Sequence, residues 1–525
     1  MMIDARTVDD GTLVEADLAV VGGGPAGLSI AHRMLGKGRE VVLLEAGGRD
    51  YDRDDQALYE GDSIGLPYYP LDSARLRQLG GTSNHWGGWC TPFRDHALDP
   101  WPWIDGSGWP IAWDEVEAHV GRAAALIQLP DEGWDPEHWS ERTGSAALPL
   151  TPGVLPPFTE LIRRTRFAER LGPSLEQDAQ TSVFLHANLV AIETDETAGR
   201  VTGLLARTRT DRRTLHVRAK RYVLATGGIE NARHLLLADQ AVPGGLGNAH
   251  GLVGRYFTDH VTFHGGVLQP SEPGLDLAFY ERRQLGDFEV IHQLVLPFET
   301  ARRERLLRAM LRLQPVYDPV WTGPGMSSAR SIRGALRARE VPEDLGRHVG
   351  NIARDLDDLL GLGWRAFKVG QVPIREVRLQ ASVAPAPNAD SRVMLNTPVD
   401  AFGLRRVKLD WRLSPVDKRS ARFITETFAA EAGAAGLGRV QMLLNEDDDD
   451  VTDVFVEPAY HHMCTTRMAD DPRAGVVDRN CRVHGVDNLY CAGSSVFSTG
   501  GDGSPTMMLV ALALRLADHL EGLDA

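Results

Sequence analysis

The stretch from Ala16 to Glu45, ADLAVVGGGPAGLSIAHRMLGKGREVVLLE, constrains the fold more than any other part of the chain. Ala16 to Val21 is almost continuously apolar and runs into glycines, the pattern of a short buried strand feeding a tight turn. Leu28 to Leu35 is helical in pattern, and EVVLLEAG then supplies a second strand ending in Glu45. Strand, glycine turn, helix, strand and acid in this order form a dinucleotide-binding fingerprint. Gly22 allows the turn, Gly24 lets the backbone approach a pyrophosphate, and Gly27 permits close packing of helix on sheet. Glu45 lies 18 residues after Gly27, where a carboxylate can accept both ribose hydroxyls.

The rest of the chain bounds what such a unit can serve. With 525 residues there is room for two or more cores, and 43% hydrophobic with 24% charged residues is ordinary for a globular protein. A net charge of −16 repels phosphate backbones and argues against a nucleic-acid partner. The acidic run Glu446 to Asp450 reads as solvated surface. Cys90, Cys464, Cys481 and Cys491 show no CxxC spacing and no histidine comb, so no metal site is expected and free thiols in a reducing compartment are. The N-terminus carries no basic segment leading into an apolar run, and no window reaches the roughly 18 apolar residues of a membrane span. These features lead us to expect a cytoplasmic protein without a membrane span.

A second glycine turn selects the dinucleotide. TSVFLHANLVAIETD and the segment from Gly199 onward alternate like antiparallel strands and lead into a buried strand, Tyr222 to Ala225, followed by Gly227 and Gly228. Long flavoproteins assemble their nucleotide domain from separated pieces of this kind, which favours FAD over NAD and would put Leu189 and Val190 in the adenine pocket. At the far end, STGGDGSPTMMLVALALRLADHL sets a glycine loop before an almost wholly apolar helix. Ser504 has the side chain of an N-cap and Pro505 suits the first helical position. A buried helix start presents unpaired N–H groups and the positive end of the macrodipole to something electron-rich.

Four motifs together resemble the glucose–methanol–choline (GMC) family of flavin oxidoreductases: VVGGGPAG, GGTSNHWGG at Gly80 to Gly88, VLATGGIENARHLLL, and the block from YHHMCTTRM through NLYCAGSSVF to GSPTMM. GLVGRYFTDH and PNADSRVMLN extend the likeness over nearly the whole chain, in the family's order, and it is nearest the branch of pyranose oxidase and the glucoside 3-dehydrogenases. The resemblance implies an α/β chain, α+β overall, with a split Rossmann-type FAD-binding domain at 1–105, 175–265 and 460–525. It implies a substrate-binding domain on a mostly antiparallel sheet at 106–174 and 266–459. Within the latter, the helix-patterned segment Arg302 to Phe367 is expected to pack on the chain's own core, with an amphipathic helix facing a membrane or partner as the alternative.

The same resemblance assigns roles. HHMCT places His461 four residues before Thr465, the position of the family's base, and strand alternation would turn His462 to the opposite face. Cys464 stands where the family commonly has glycine. Ser504 replaces the asparagine or histidine that holds the substrate oxygen, which leaves it either contacting substrate or capping the helix. His85 matches the position of the covalent bond to the flavin in pyranose oxidase and choline oxidase, although related HWGG sequences bind FAD without it. Gly81, Asn84 and His85 would lie against FAD, Gly493 and Ser494 against its pyrophosphate, and Pro505 and Thr506 against the pyrimidine edge. The implied activity is oxidation of an alcohol in a sugar, glycoside, polyol or related small molecule, with the proton going to His461 and hydride to flavin N5. Oxygen, or an electron-acceptor protein or quinone, would restore the flavin. A lyase or decarboxylase on the same fold is the alternative that Ser504 raises.

Overall fold

The computed structural model describes residues 1–94, 96–272, 274–338, 340–369, 372–445, 451 and 456–523; the acidic run Glu446 to Asp450 lies outside them. The first apolar stretch becomes the strand Thr12–Val21, longer at its start than the sequence reading because Thr12 to Ala16 pair in parallel register with Leu215 to Ala219. The following helix is Pro25–Arg33 rather than Leu28 to Leu35, since proline fits the first helical position, where no N–H is needed. Val41–Leu44, Thr181–Leu185 and Met2–Asp4 continue the sheet on one side; Thr214–Leu224, Val201–Arg207 and Asn188–Thr194 continue it on the other. Leu489–Cys491 also pairs with Thr214–Leu224. The strands ending at Val21, Leu44, Leu224 and Cys491 are parallel neighbours, so the turns after them gather along one edge. That edge is where open parallel sheets bind ligands.

A second, nine-stranded sheet is antiparallel in its pairings and includes Val261–Pro270, Ile374–Val383, Ala309–Tyr317, Phe288–Val295 and Pro157–Ile162. Its alternation is strict in places. Phe263, Leu311, Leu313, Leu379 and Ala381 are buried, whereas Thr262, Arg312, Gln380 and Ser382 on the opposite face are only half-buried. Helix Pro415–Ala434 packs against these strands. RVKLDW departs from this sheet and joins Arg392–Val399 and Gly61–Gly65 in a small third one.

The segment Arg302 to Phe367 is less helical and less buried than its pattern suggests. ARRERLLRAMLRL ends its helix at Glu304, turns through left-handed Arg305, and re-enters as the strand Ala309–Tyr317, where pairing on both sides overrides helix propensity. The helices Pro324–Ala338, Leu345–Arg354 and Leu356–Val369 follow, and they leave Leu336, Val349, Leu360 and Trp364 exposed. Packing on the chain's own core is therefore not what these described apolar residues do. No helix among the described residues is long and apolar enough to cross a membrane.

Candidate active site

A cavity of about 580 Å³ lies along the strand-end edge of the first sheet and reaches the start of helix Pro505–Gly522. At one end stands Glu45, buried, its Oε2 accepting the Gly23 N–H at 2.7 Å and its Oε1 the Gly47 N–H at 2.7 Å. Burial raises its pKa against the pull of these two donors. The carboxylate retains acceptor capacity toward a ribose. Ala187 and Leu189 flank it on the wall, while Val190, which the sequence reading put in the adenine pocket, is off the wall. Val190 sits at a register shift in the pairing of this strand with Val201–Arg207, between Leu189 and Ala191, and its side chain is turned away from the cavity that Leu189 lines. Gly22, Gly24 and Gly81 line the middle, where the 80–84 loop is tied down by the Gly80 N–H donating to the Gly23 carbonyl at 2.7 Å.

This cradle suits FAD. A Cβ built on Gly24 meets no protein atom within 4 Å, so its space belongs to the cavity, and the buried Nε2 of His462, another wall residue, has no hydrogen-bond partner among the described residues. Gly493 and Ser494 line the same stretch, and Ser494 Oγ donates to the His462 carbonyl at 2.7 Å. His85 stands exposed on the wall, its imidazole without a hydrogen bond among the described residues. Partial burial and the Arg166 charge lower its pKa. Asn84 is absent from the wall because its amide turns back to the Leu79 carbonyl at 2.8 Å, closing its own loop. Trp86 and Trp89 are wall residues, whereas Trp411 is packed in the core.

The histidine segment enters beside helix Gly227–Leu237. A Cβ on Gly228 would lie 2.1 Å from the His462 carbonyl oxygen, so a glycine here lets the segment come close. His461 and His462 both line the cavity, contrary to the strand alternation expected of them: only Met463 makes a bridge, and left-handed Tyr460 and Cys464 bend the chain on either side. Cys464, at φ +69°, adopts the conformation a glycine would take there, so the turn is kept despite the substitution. Burial first, then the nearby His260 and His462, hold the His461 pKa well below the usual histidine range. Its backbone N–H donates to Asp259 Oδ1 at 2.8 Å, and the Tyr68 hydroxyl donates to Asp259 Oδ2 at 2.5 Å. Burial raises Asp259 to about 6.

At the helix mouth, Pro505 and Thr506 line the cavity but Ser504 does not. The capping role is not what its side chain shows: it makes no capping bond, and Oγ donates to Glu160 Oε1 at 3.3 Å. Oγ is turned toward the second sheet instead of the first-turn N–H groups. Glu160 is buried on Pro157–Ile162, bonded also by the Gln293 amide, and burial pushes its pKa up to about 7. Sequence reasoning missed this residue; an acid inside the apolar run FTELI was the available signal. Ser504→Ala should retain flavin and cost about 1 kcal/mol of stability through the lost bond. A double-mutant cycle with Glu160→Ala, which removes the acceptor, checks it by thermal unfolding; zero coupling would mean the two side chains are energetically independent.

Two family models match the chain: a GMC oxidoreductase model over residues 387–513 and an FAD dependent oxidoreductase model over 17–266. The chain is 24% identical to paromamine 6'-oxidase of Streptomyces fradiae, over 96% of this chain and 91% of that one. It is 24% identical to 2-methyl-1,2-propanediol dehydrogenase of Mycolicibacterium austroafricanum, over 96% and 95% of the two chains. It is 22% identical to the fructose dehydrogenase large subunit of Gluconobacter japonicus, over 97% and 98%. Among solved structures, a fungal aryl-alcohol oxidase superposes with a TM-score of 0.58 at 16% identity, covering 98% of this chain and 99% of that one.

Proposed function

The chain belongs to the GMC oxidoreductases, FAD-dependent enzymes acting on CH–OH groups, and from that premise we propose that it oxidises a sugar, glycoside, polyol or related hydroxylated small molecule with His461 as the base. The observation that carries this reading is that His461, kept neutral by burial, shares one cavity with the glycine cradle and Glu45. Bound FAD supplies the hydride acceptor. The chain supplies the rest: Glu45, Gly24, Gly81, Gly493 and Ser494 would hold the dinucleotide, and His85 would face the flavin from the same wall. Pro505 and Thr506 bring the positive end of an 18-residue helix to the cavity, where it favours negative charge. His461 removes the hydroxyl proton and keeps it on its ring, which a neutral imidazole can do and an imidazolium cannot.

Domain roles follow: the pieces 1–105, 175–265 and 460–525 hold FAD, and 106–174 with 266–459 cover it and select substrate. The named relatives are oxidases and dehydrogenases, and none favours a lyase or decarboxylase. Four free, buried cysteines fit a reducing, cytoplasmic setting. Anaerobic titration with sugars, glycosides and polyols tests the reading: one class should bleach the flavin's visible band, and admitting oxygen afterwards separates oxidase from dehydrogenase. A panel that leaves a dithionite-reducible flavin oxidised would sink it.

The pH dependence has a definite sign. A base is active when unprotonated, and lowering its pKa extends the neutral form to lower pH. The acid limb of kcat/KM should therefore fall below pH ~6.5, the ordinary histidine value. Stopped-flow flavin reduction across pH checks it, and a limb above that value would contradict the assignment of His461.

A further inference from the structure

The loop before the last helix carries a second function that its glycines make visible. His260 Nε2 lies 3.2 Å from the Gly501 carbonyl oxygen, and His260 Nδ1 lies 2.8 Å from His461 Nδ1. A carbonyl only accepts, so the proton of a neutral His260 sits on Nε2 and its Nδ1 bears the lone pair. His260 is buried, and burial lowers its pKa, which keeps it neutral. With an acceptor 2.8 Å away, His461 must carry its own proton on Nδ1. That leaves the lone pair on His461 Nε2.

We propose that His260 is a positioning residue: held by the Gly501 carbonyl, it fixes His461 in the tautomer whose Nε2 is free to take the substrate's proton. The proposal rests on the reading of His461 as the base. Among the described residues, no other group near His461 does this work. Asp259 accepts the backbone N–H of His461, and the His462 ring packs near Tyr68 and Phe257. The acceptor end of the relay is rigid. Asp502, next to Gly501, is buried between Arg94 at 2.9 Å and Arg308 at 3.1 Å. Gly501 itself is at φ +67°, with its ideal Cβ position 2.1 Å from the Phe93 ring, so a side chain there would displace the carbonyl. The glycines of STGGDGSP thus serve the base as well as the helix start.

Three preparations of holoenzyme test it: wild type, His260→Leu and His260→Asn, the last keeping an acceptor oxygen close to the position of imidazole Nδ1. His260→Leu should lower kcat about 10²-fold with KM and flavin content little changed, and His260→Asn should recover most of the loss. The direct readout is 15N NMR of histidine-labelled wild type, with the His461 signals assigned by their loss in His461→Gln. Nδ1 protonated and Nε2 unprotonated is the expected result, and it needs no variant at position 260 to fold. Wild-type kcat in His260→Leu, or a protonated His461 Nε2 at neutral pH, would overturn the proposal. If instead His461→Gln is fully active, the base assignment itself fails, and that outcome is distinct from either of these.

Discussion

His461→Gln is expected to slow substrate-dependent flavin reduction by about 10³-fold, within the range that general-base catalysis supplies. Glutamine is polar and of similar length, but neither of its amide atoms can take a proton near neutral pH. The backbone N–H that anchors position 461 to Asp259 is untouched, so the turn between Tyr460 and Cys464 should persist. Flavin content and dithionite reduction should match wild type, because the cradle lies on other segments. The loss should appear in kcat more than in KM, since the proton moves only in the reactive step. Single-turnover kinetics under anaerobic conditions separates this from slower reoxidation. A variant within tenfold of wild type would remove His461 from the chemistry, and His462, whose Nε2 has no partner among the described residues, would then be the residue to change.

The second large effect separates two glycines of one motif. A Cβ on Gly27 would lie 2.0 Å from the Gly22 carbonyl oxygen, so Gly27→Ala must push the helix Pro25–Arg33 off its strand, at a cost of about 3 kcal/mol or more. That variant should be poorly folded, or unfold at markedly lower temperature, whether or not FAD is present. Gly24 has ordinary extended backbone at φ −82°, and its Cβ would meet no protein atom within 4 Å. Gly24→Val should therefore give a well-folded, nearly colourless protein, its FAD affinity weakened by about 10²-fold, equivalent to about 3 kcal/mol. Circular dichroism reports the fold and equilibrium dialysis the affinity. Unchanged FAD binding in Gly24→Val would mean that the dinucleotide does not approach this turn.

The contrast shows how unevenly the sequence could be read. The strand, turn and helix around Gly22 were legible because one local motif dictates them, and Pro505 marked the last helix start for the same reason. ARRERLLRAMLRL misled because its helical spacing is local, whereas the strand Ala309–Tyr317 is decided by neighbours distant in the chain. Ser504 misled in the same way. Its N-cap identity was legible, but Glu160, more than 300 residues earlier, claims its hydroxyl.

Sequence alone determined the cofactor class, the family and the base candidate, because dinucleotide binding and proton transfer need particular residues at fixed short spacing. Tertiary structure alone decided that Val190 and Asn84 lie off the cavity wall, that both histidines of HHMCT reach it, and that His260 and Gly501 stand behind His461. The last of these depends on contacts between segments about 200 residues or more apart, the others on the direction each side chain takes. Local pattern carries no record of either, since hydrogen-bond partners are chosen by the packing of whole sheets and loops.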